Sequence, residues 1–222
     1  PWTCSTQDKQ MAAAIDDKVA LLDKPDSNTG QHRTMRLAQS CNGEYSNFFG
    51  AFNSTQVALV LAAFNATLTR CNGVYERDLA IHLNLIPTTT AVIYYDPATD
   101  PYTTLGQWNN HLQATLTANI GQANYDIGHM FGASGGGGNA GCIGCVCVDG
   151  QKGRGITSPA DAIPMGDNFD IDYVAHEVGH QMGANHSFSF SSTRSVPSML
   201  GFPPFRKRSP SVFLSIVNRP GA

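Results

Sequence analysis

The chain has 222 residues, 41% hydrophobic and only 14% charged, with a net charge of −3. That length suits one large domain, or one domain with a small appendage. The weak negative charge offers no basic surface for nucleic acid or an anionic membrane, and the longest apolar run, Val57 to Phe64, falls far short of the ~20 residues that span a bilayer.

From the N-terminus, no signal peptide is visible, and Pro1 stands where Met is usual, which reads as a processed product. Residues 1–24 hold one short amphipathic pattern, Met11, Ile15, Val19 and Leu22. Residues 25–33, "PDSNTGQHR", read as a polar linker. "TMRLAQS" alternates Met35 and Leu37 with polar residues and predicts a strand. Ser54 or Thr55 caps a predicted helix whose apolar face is Val57, Val60, Leu61, Phe64 and Leu68, stopping at Asn72-Gly73. "LAIHLNLI" is a clear strand, and Trp108, Leu112 and Leu116 mark a helix ended by Gly121. "YDIGHMF" is a third strand; "GNAGCIGCVCV" and "GRGITS" are weaker ones, because glycine lowers strand propensity. Gly135 to Gly138 lack the Gly-Lys-Ser/Thr of a phosphate loop and read as a hairpin connection. The last predicted helix runs through "NFDIDYVAHEVGHQMG", capped by Asp167. This order of elements predicts a mixed α/β (α+β) sheet.

The six cysteines are Cys4, Cys41, Cys71, Cys142, Cys145 and Cys147. Their even number in a low-charge chain suggests disulfides and an oxidising compartment. Cys145 and Cys147 would lie roughly 6.6 Å apart along one face of a strand, a poor geometry for a mutual bond. Cys41 and Cys71 flank a predicted helix about 25 Å long, which separates them unless the chain folds back. His82 and His129 sit in strands and read as structural. Asp96 and Asp100 in "DPATDP" read as an Asp-Pro turn; a Ca²⁺ site there is possible but has no support. Asn53, Asn65 and Asn185 stand in glycosylation sequons, which mean little without the host.

Three of the seven histidines fall within "HEVGHQMGANH", residues 176 to 186. Ile171, Val174, Ala175, Val178 and Met182 share one helical face, while His176 and His180 lie on roughly the opposite one. Two imidazoles one turn apart can both reach one Zn²⁺ at ~2.0–2.1 Å. Glu177 sits about 100° further round, placed to take a proton from a zinc-bound water rather than to ligate. Gly183 permits the reversal that returns His186 as third ligand, leaving an open fourth position. A helix with three incidental histidines is the bland alternative, and the full HExxHxxGxxH pattern on a well-phased helix argues strongly against it.

These residues resemble the metzincin metallopeptidases, and within them the reprolysin-like, adamalysin-related secreted enzymes, bacterial ones in particular. The resemblance covers roughly residues 33–190, with "GNAGCIGCVCVDG" where the family places its cleft-edge strand. It implies a five-stranded twisted sheet above a cleft with a small lower subdomain, zinc at His176, His180 and His186, and Glu177 as general base. It also implies a methionine turn beneath the metal, for which Met199 in "VPSMLGF" is the candidate. His186 is followed by Ser187 where adamalysins usually have Asp, and residues 203–222 show no convincing final helix. The expected organisation is an N-terminal segment and linker over 1–32, then a catalytic domain over 33–222, divided into 33–186 above and 187–222 below.

The resulting expectation is a secreted, monomeric zinc endopeptidase acting on proteins or peptides. The substrate would lie along Ala140 to Val146, with Ala140, Gly141, Cys142, Ile143 and Gly144 as contacts. A zinc amidase for a non-protein amide and a catalytically silent adhesion or binding module on the same scaffold are the alternatives. Cys-x-x-Cys-x-Cys as a second zinc site is a rival for the 142–147 segment. Reprolysin-like relatives keep a pro-segment cysteine on the open zinc position, and Cys4 is the candidate for such a switch; half of a structural disulfide is its alternative role.

Overall fold

The computed structural model describes residues 4–7 and 31–186. The amphipathic pattern of 11–22, most of the linker, and everything after His186, Met199 included, lie outside the described residues.

Strand β1, Arg33–Cys41, is central. It pairs in parallel with β2, Ile81–Leu85, on one side and with β3, Ile127–Phe131, on the other. β3 pairs in parallel with β5, Gly155–Ser158, and β5 carries the antiparallel edge strand β4, Gly137–Asn139. The order is β2-β1-β3-β5-β4, the expected five-stranded mixed sheet.

Parallel strands are buried on both faces, and the side chains divide between two cores. Met35, Leu37, Cys41, Ile127 and Phe131 face a core shared with helix α2, Val57–Leu79, and with the motif helix. Ala38, Met130 and Ile156 face the opposite core, built on helix α3, Trp108–Asn119, through Trp108, Leu112 and Leu116. A short helix α1, Gly43–Phe48, begins where Asn42 Oδ1 accepts from Tyr45 N at 3.0 Å. At fewer than two turns it is too short to leave a periodic signature.

α2 does not stop at Asn72-Gly73. Asn72 Nδ2 donates to Leu83 O at 3.0 Å, and Leu83 N donates to Asn72 Oδ1 at 2.9 Å. This two-way bond to β2 removes the competition with the helix backbone that makes asparagine a stop signal, and the helix runs on to a left-handed cap at Ala80, φ 56°. By length and composition α2 could cross a bilayer. Its Val60, Phe64, Leu68 and Tyr75 are buried in the core while Asn65, Thr69, Arg70 and Arg77 are exposed, the division of a core-packed helix.

Four expectations need correction. "GNAGCIGCVCV" is strand only at Gly137–Asn139; beyond it a disulfide between Cys142 and Cys145 closes a loop. Gly137 and Gly138 belong to that strand, not to a hairpin connection. Asp167 makes no cap hydrogen bond; it is exposed and pairs with Arg70 at 2.7 Å. Cys4 is not in a disulfide, nor are Cys41 and Cys71, both buried. The Asp-Pro turn stands: Asp96 accepts from Ala98 N and Thr99 Oγ1, and buried Asp100 accepts from Gly43 N and Tyr102 N. His82 Nδ1 lies beside Glu76 Oε1.

Candidate metal centre

The motif helix starts as a π-helix, Asn168–Ala175, and continues as α4, His176–Met182. The wider π turn shifts the face that Ile171 was expected to share; Phe169 and Tyr173 are buried instead, with Val174, Ala175, Val178 and Met182 as expected. Tyr75 Oη donates to Ala175 O at 2.6 Å and ties the helix to α2.

On its other side α4 is bolted to the sheet. Gln181 Nε2 donates to Gly128 O at 2.9 Å, and its Oε1 lies 2.8 Å from His129 Nδ1. His129 Nε2 lies 2.9 Å from Thr157 Oγ1. Burial pushes His129 down to about 4, so the ring is neutral, donating from Nδ1 and accepting at Nε2. A Cβ at Gly155 would overlap both Gln181 and His129, so glycine makes the notch for this network. The disulfide loop caps the far end: Gly144 N and Cys145 N donate to His180 O and Gln181 O, each at 3.0 Å.

α4 ends at Gly183 in the left-handed region, φ 118°. The chain then reverses and His186 returns to the two helix histidines. Ring centroids are 4.6 Å apart for His176–His180, 5.4 Å for His176–His186 and 4.5 Å for His180–His186. His180 Nδ1 faces Ala184 O at 2.6 Å, an acceptor, so the proton sits there and Nε2 carries a lone pair. That Nε2 is 3.0 Å from His176 Nε2. Burial, with His180 and His186 adding repulsion, pushes His176 down to about 3 and keeps it neutral.

A fourth group joins them from the other end of the chain. Cys4 Sγ lies 3.7 Å from His180 Nε2, and ligand atoms of Cys4, His176, His180 and His186 all fall within 4.8 Å of one another. Corners of a tetrahedron around Zn²⁺, with nitrogen and sulfur at their usual bond lengths, lie roughly 3.3–3.7 Å apart. The donor set fits zinc, and the separations of 3.0 Å between His176 and His180 and 3.7 Å between Cys4 and His180 lie near that range. Burial, then the charge of Glu177, pushes the Cys4 thiol up to about 12; a divalent cation among the imidazoles would reverse that and favour the thiolate.

Glu177 is fully buried between α4 and the edge strand, and burial pushes it up to about 7. A Cβ at Gly138 would overlap its carboxylate, so β4 can pass this close only with glycine there. Gly138→Ala should displace Glu177 while leaving the histidines in place. The expected result is unchanged metal content by atomic absorption, with the peptide cleavage expected from the sequence lowered about tenfold or more, a misplacement of the order of 1 Å being enough. Unaltered activity would show that the carboxylate's position is not set by β4.

Of the expected substrate contacts, only Ala140 directly follows the edge strand. Gly141 turns at φ 70°, Cys142 is disulfide-bonded, Ile143 is buried and the Gly144 amide is engaged by α4. The disulfide also removes two thiolates from the rival Cys-x-x-Cys-x-Cys zinc site. Sequence reasoning missed Gly138, the His129–Gln181 bolt and Thr6, whose contacts with the site join distant parts of the chain.

The family model for metallo-peptidase family M12B, reprolysin-like, matches residues 31–202. None of the curated proteins matches the chain. The match takes in the whole sheet, the motif helix and all three histidines, in a family of zinc enzymes whose substrates are proteins or peptides. The chain belongs to the reprolysin-like M12B metallopeptidases.

Proposed function

We propose that the chain is a secreted zinc endopeptidase held latent by its own N-terminal segment. The observation that carries this reading is the convergence of three imidazoles, a buried glutamate and one thiol beside an antiparallel sheet edge. His176, His180 and His186 would hold the metal, with Cys4 as fourth ligand in the latent form. Bound there, zinc supplies a Lewis acid that polarises a carbonyl and acidifies water. Glu177 takes the proton from the attacking water and gives it to the leaving amine. Gly137–Asn139 with Ala140 offers the backbone edge along which an extended substrate adds as an antiparallel strand. Gly138 O and Ala140 N are the groups it would use, and both are engaged by residues 5 and 6. Secretion is supported by the Cys142–Cys145 disulfide and the low charge.

The purified chain should carry about one zinc, and once activated it should cleave a proteome-derived peptide library, read by mass spectrometry, in a reaction that 1,10-phenanthroline abolishes. A mercurial, or Cys4→Ser, should raise that cleavage. No response to either, or mapping that finds Cys4 disulfide-bonded in the active form, would overturn the latency reading. Cleavage that persists without metal would overturn the zinc reading.

A further inference from the structure

Two residues beyond the thiol, Thr6 makes a contact that has no part in metal ligation. It is buried, and its hydroxyl stands between two groups of the site. Oγ1 donates to Glu177 Oε2 at 2.9 Å and accepts from Ala140 N at 2.8 Å. One hydroxyl has the proton and the lone pairs for both; a methyl group serves neither. The neighbouring residue holds the register. Ser5 N donates to Gly138 O at 2.9 Å, Ser5 Oγ donates to the same oxygen at 3.0 Å, and Asn139 Nδ2 donates to Ser5 Oγ at 2.8 Å. Cys4 itself bridges to Gly138 in parallel. Residues two apart on an extended segment face the same side, so Cys4 and Thr6 address the site together.

We propose that Thr6 is a second lock, independent of the metal. Its hydroxyl occupies Glu177 and the Ala140 amide at once, withholding the base and the substrate edge even when the thiol has let go. The inference rests on the reading of Glu177 as base and of residues 4–6 as an inhibitory strand. A thiol-metal bond alone would release the site in one step. Here release needs the strand to leave β4 as well, and of the side-chain contacts that hold it there the Thr6 hydroxyl is the one that reaches Glu177.

The test uses the full-length, zinc-loaded chain with Thr6→Val, which keeps the shape and removes the hydroxyl, and Thr6→Ser, which keeps the hydroxyl. The first readout is the rate of Cys4 alkylation by iodoacetamide, followed by peptide mass spectrometry, which reports opening of the strand whether or not the chain is an enzyme. Thr6→Val should react about tenfold to a hundredfold faster than the parent, the range for losing a hydrogen bond to a charged group. Thr6→Ser should react at the parent rate. Equal rates in all three overturn the lock. The second readout is library cleavage in a Cys4→Ser background, where adding Thr6→Val should raise activity above Cys4→Ser alone; no increase also overturns it. If no variant cleaves anything even after mercurial treatment, the peptidase reading fails, and the alkylation rates still decide the role of Thr6.

Discussion

Glu177→Gln should leave the zinc in place and lower peptide cleavage about a hundredfold to ten-thousandfold, the usual worth of a general base. Glutamine keeps the shape of a side chain that is fully buried between α4 and Gly138, and its carbonyl oxygen can still accept from Thr6 Oγ1. The imidazole cluster is held by separate means: the Gly183 reversal, the Ala184 carbonyl behind His180 and the Gln181 bolt to the sheet. The substitution therefore removes a proton acceptor without unbuilding the metal site. Activity and metal content, measured on one preparation, should part company. Loss of both together would mean that Glu177 holds the cluster, and full activity would mean that another group takes the proton.

The motif helix was legible because its chemistry and its geometry are written in the same residues. Histidines four apart fix a helical face, Gly183 supplies the reversal, and the apolar residues between them say which side is core. The central strands were legible for a related reason, since β1, β2 and β3 bury apolar side chains on known faces. The site's surroundings were not. β4, Gly137–Asn139, carries no alternation to read, and Gly138 looks like slack when a Cβ there would overlap the Glu177 carboxylate. Asn72 looks like a helix stop until its partner on β2 is known. Thr6 meets Glu177 across 171 residues of sequence, so nothing local to either could announce the pair.

The same comparison separates two kinds of histidine. His176, His180 and His186 crowd together in a cluster that makes sense around a cation. His129 has an amide oxygen on one nitrogen and a hydroxyl on the other, which makes sense for a neutral ring with no metal. Reading it as structural from the sequence was sound, yet that reading understated what it does. Through Gln181 it links β3 and β5 to the helix turn that carries His180.

That arrangement makes stability fall in mildly acid solution. Burial pushes His129 down to about 4 from an ordinary value of 6.5. Above pH 6.5 the ring is neutral in both folded and unfolded chains, and the full stability is present. As pH falls from 6.5 towards 4, the unfolded chain binds a proton that the folded chain refuses, so ν_U exceeds ν_N and the folded state loses ground. Through that window the loss attributable to His129 should reach about 3 kcal/mol. His176, pushed down as well, adds to the slope in the metal-free chain, so the measurement has to be a difference. Urea denaturation of the chelated parent and of His129→Gln, each between pH 8 and pH 4, supplies it. The variant should be less stable at pH 8, because Thr157 and Gln181 lose a well-fitted partner, but its stability should fall less steeply with acid. Should the variant not fold, a direct titration of the His129 ring in the parent by NMR serves instead, with protonation expected only near the pH where the protein unfolds. Parallel slopes for the two proteins, or a ring that titrates freely near 6.5 in the folded state, would show that His129 is not the acid-sensitive member of the bolt beneath the histidine cluster.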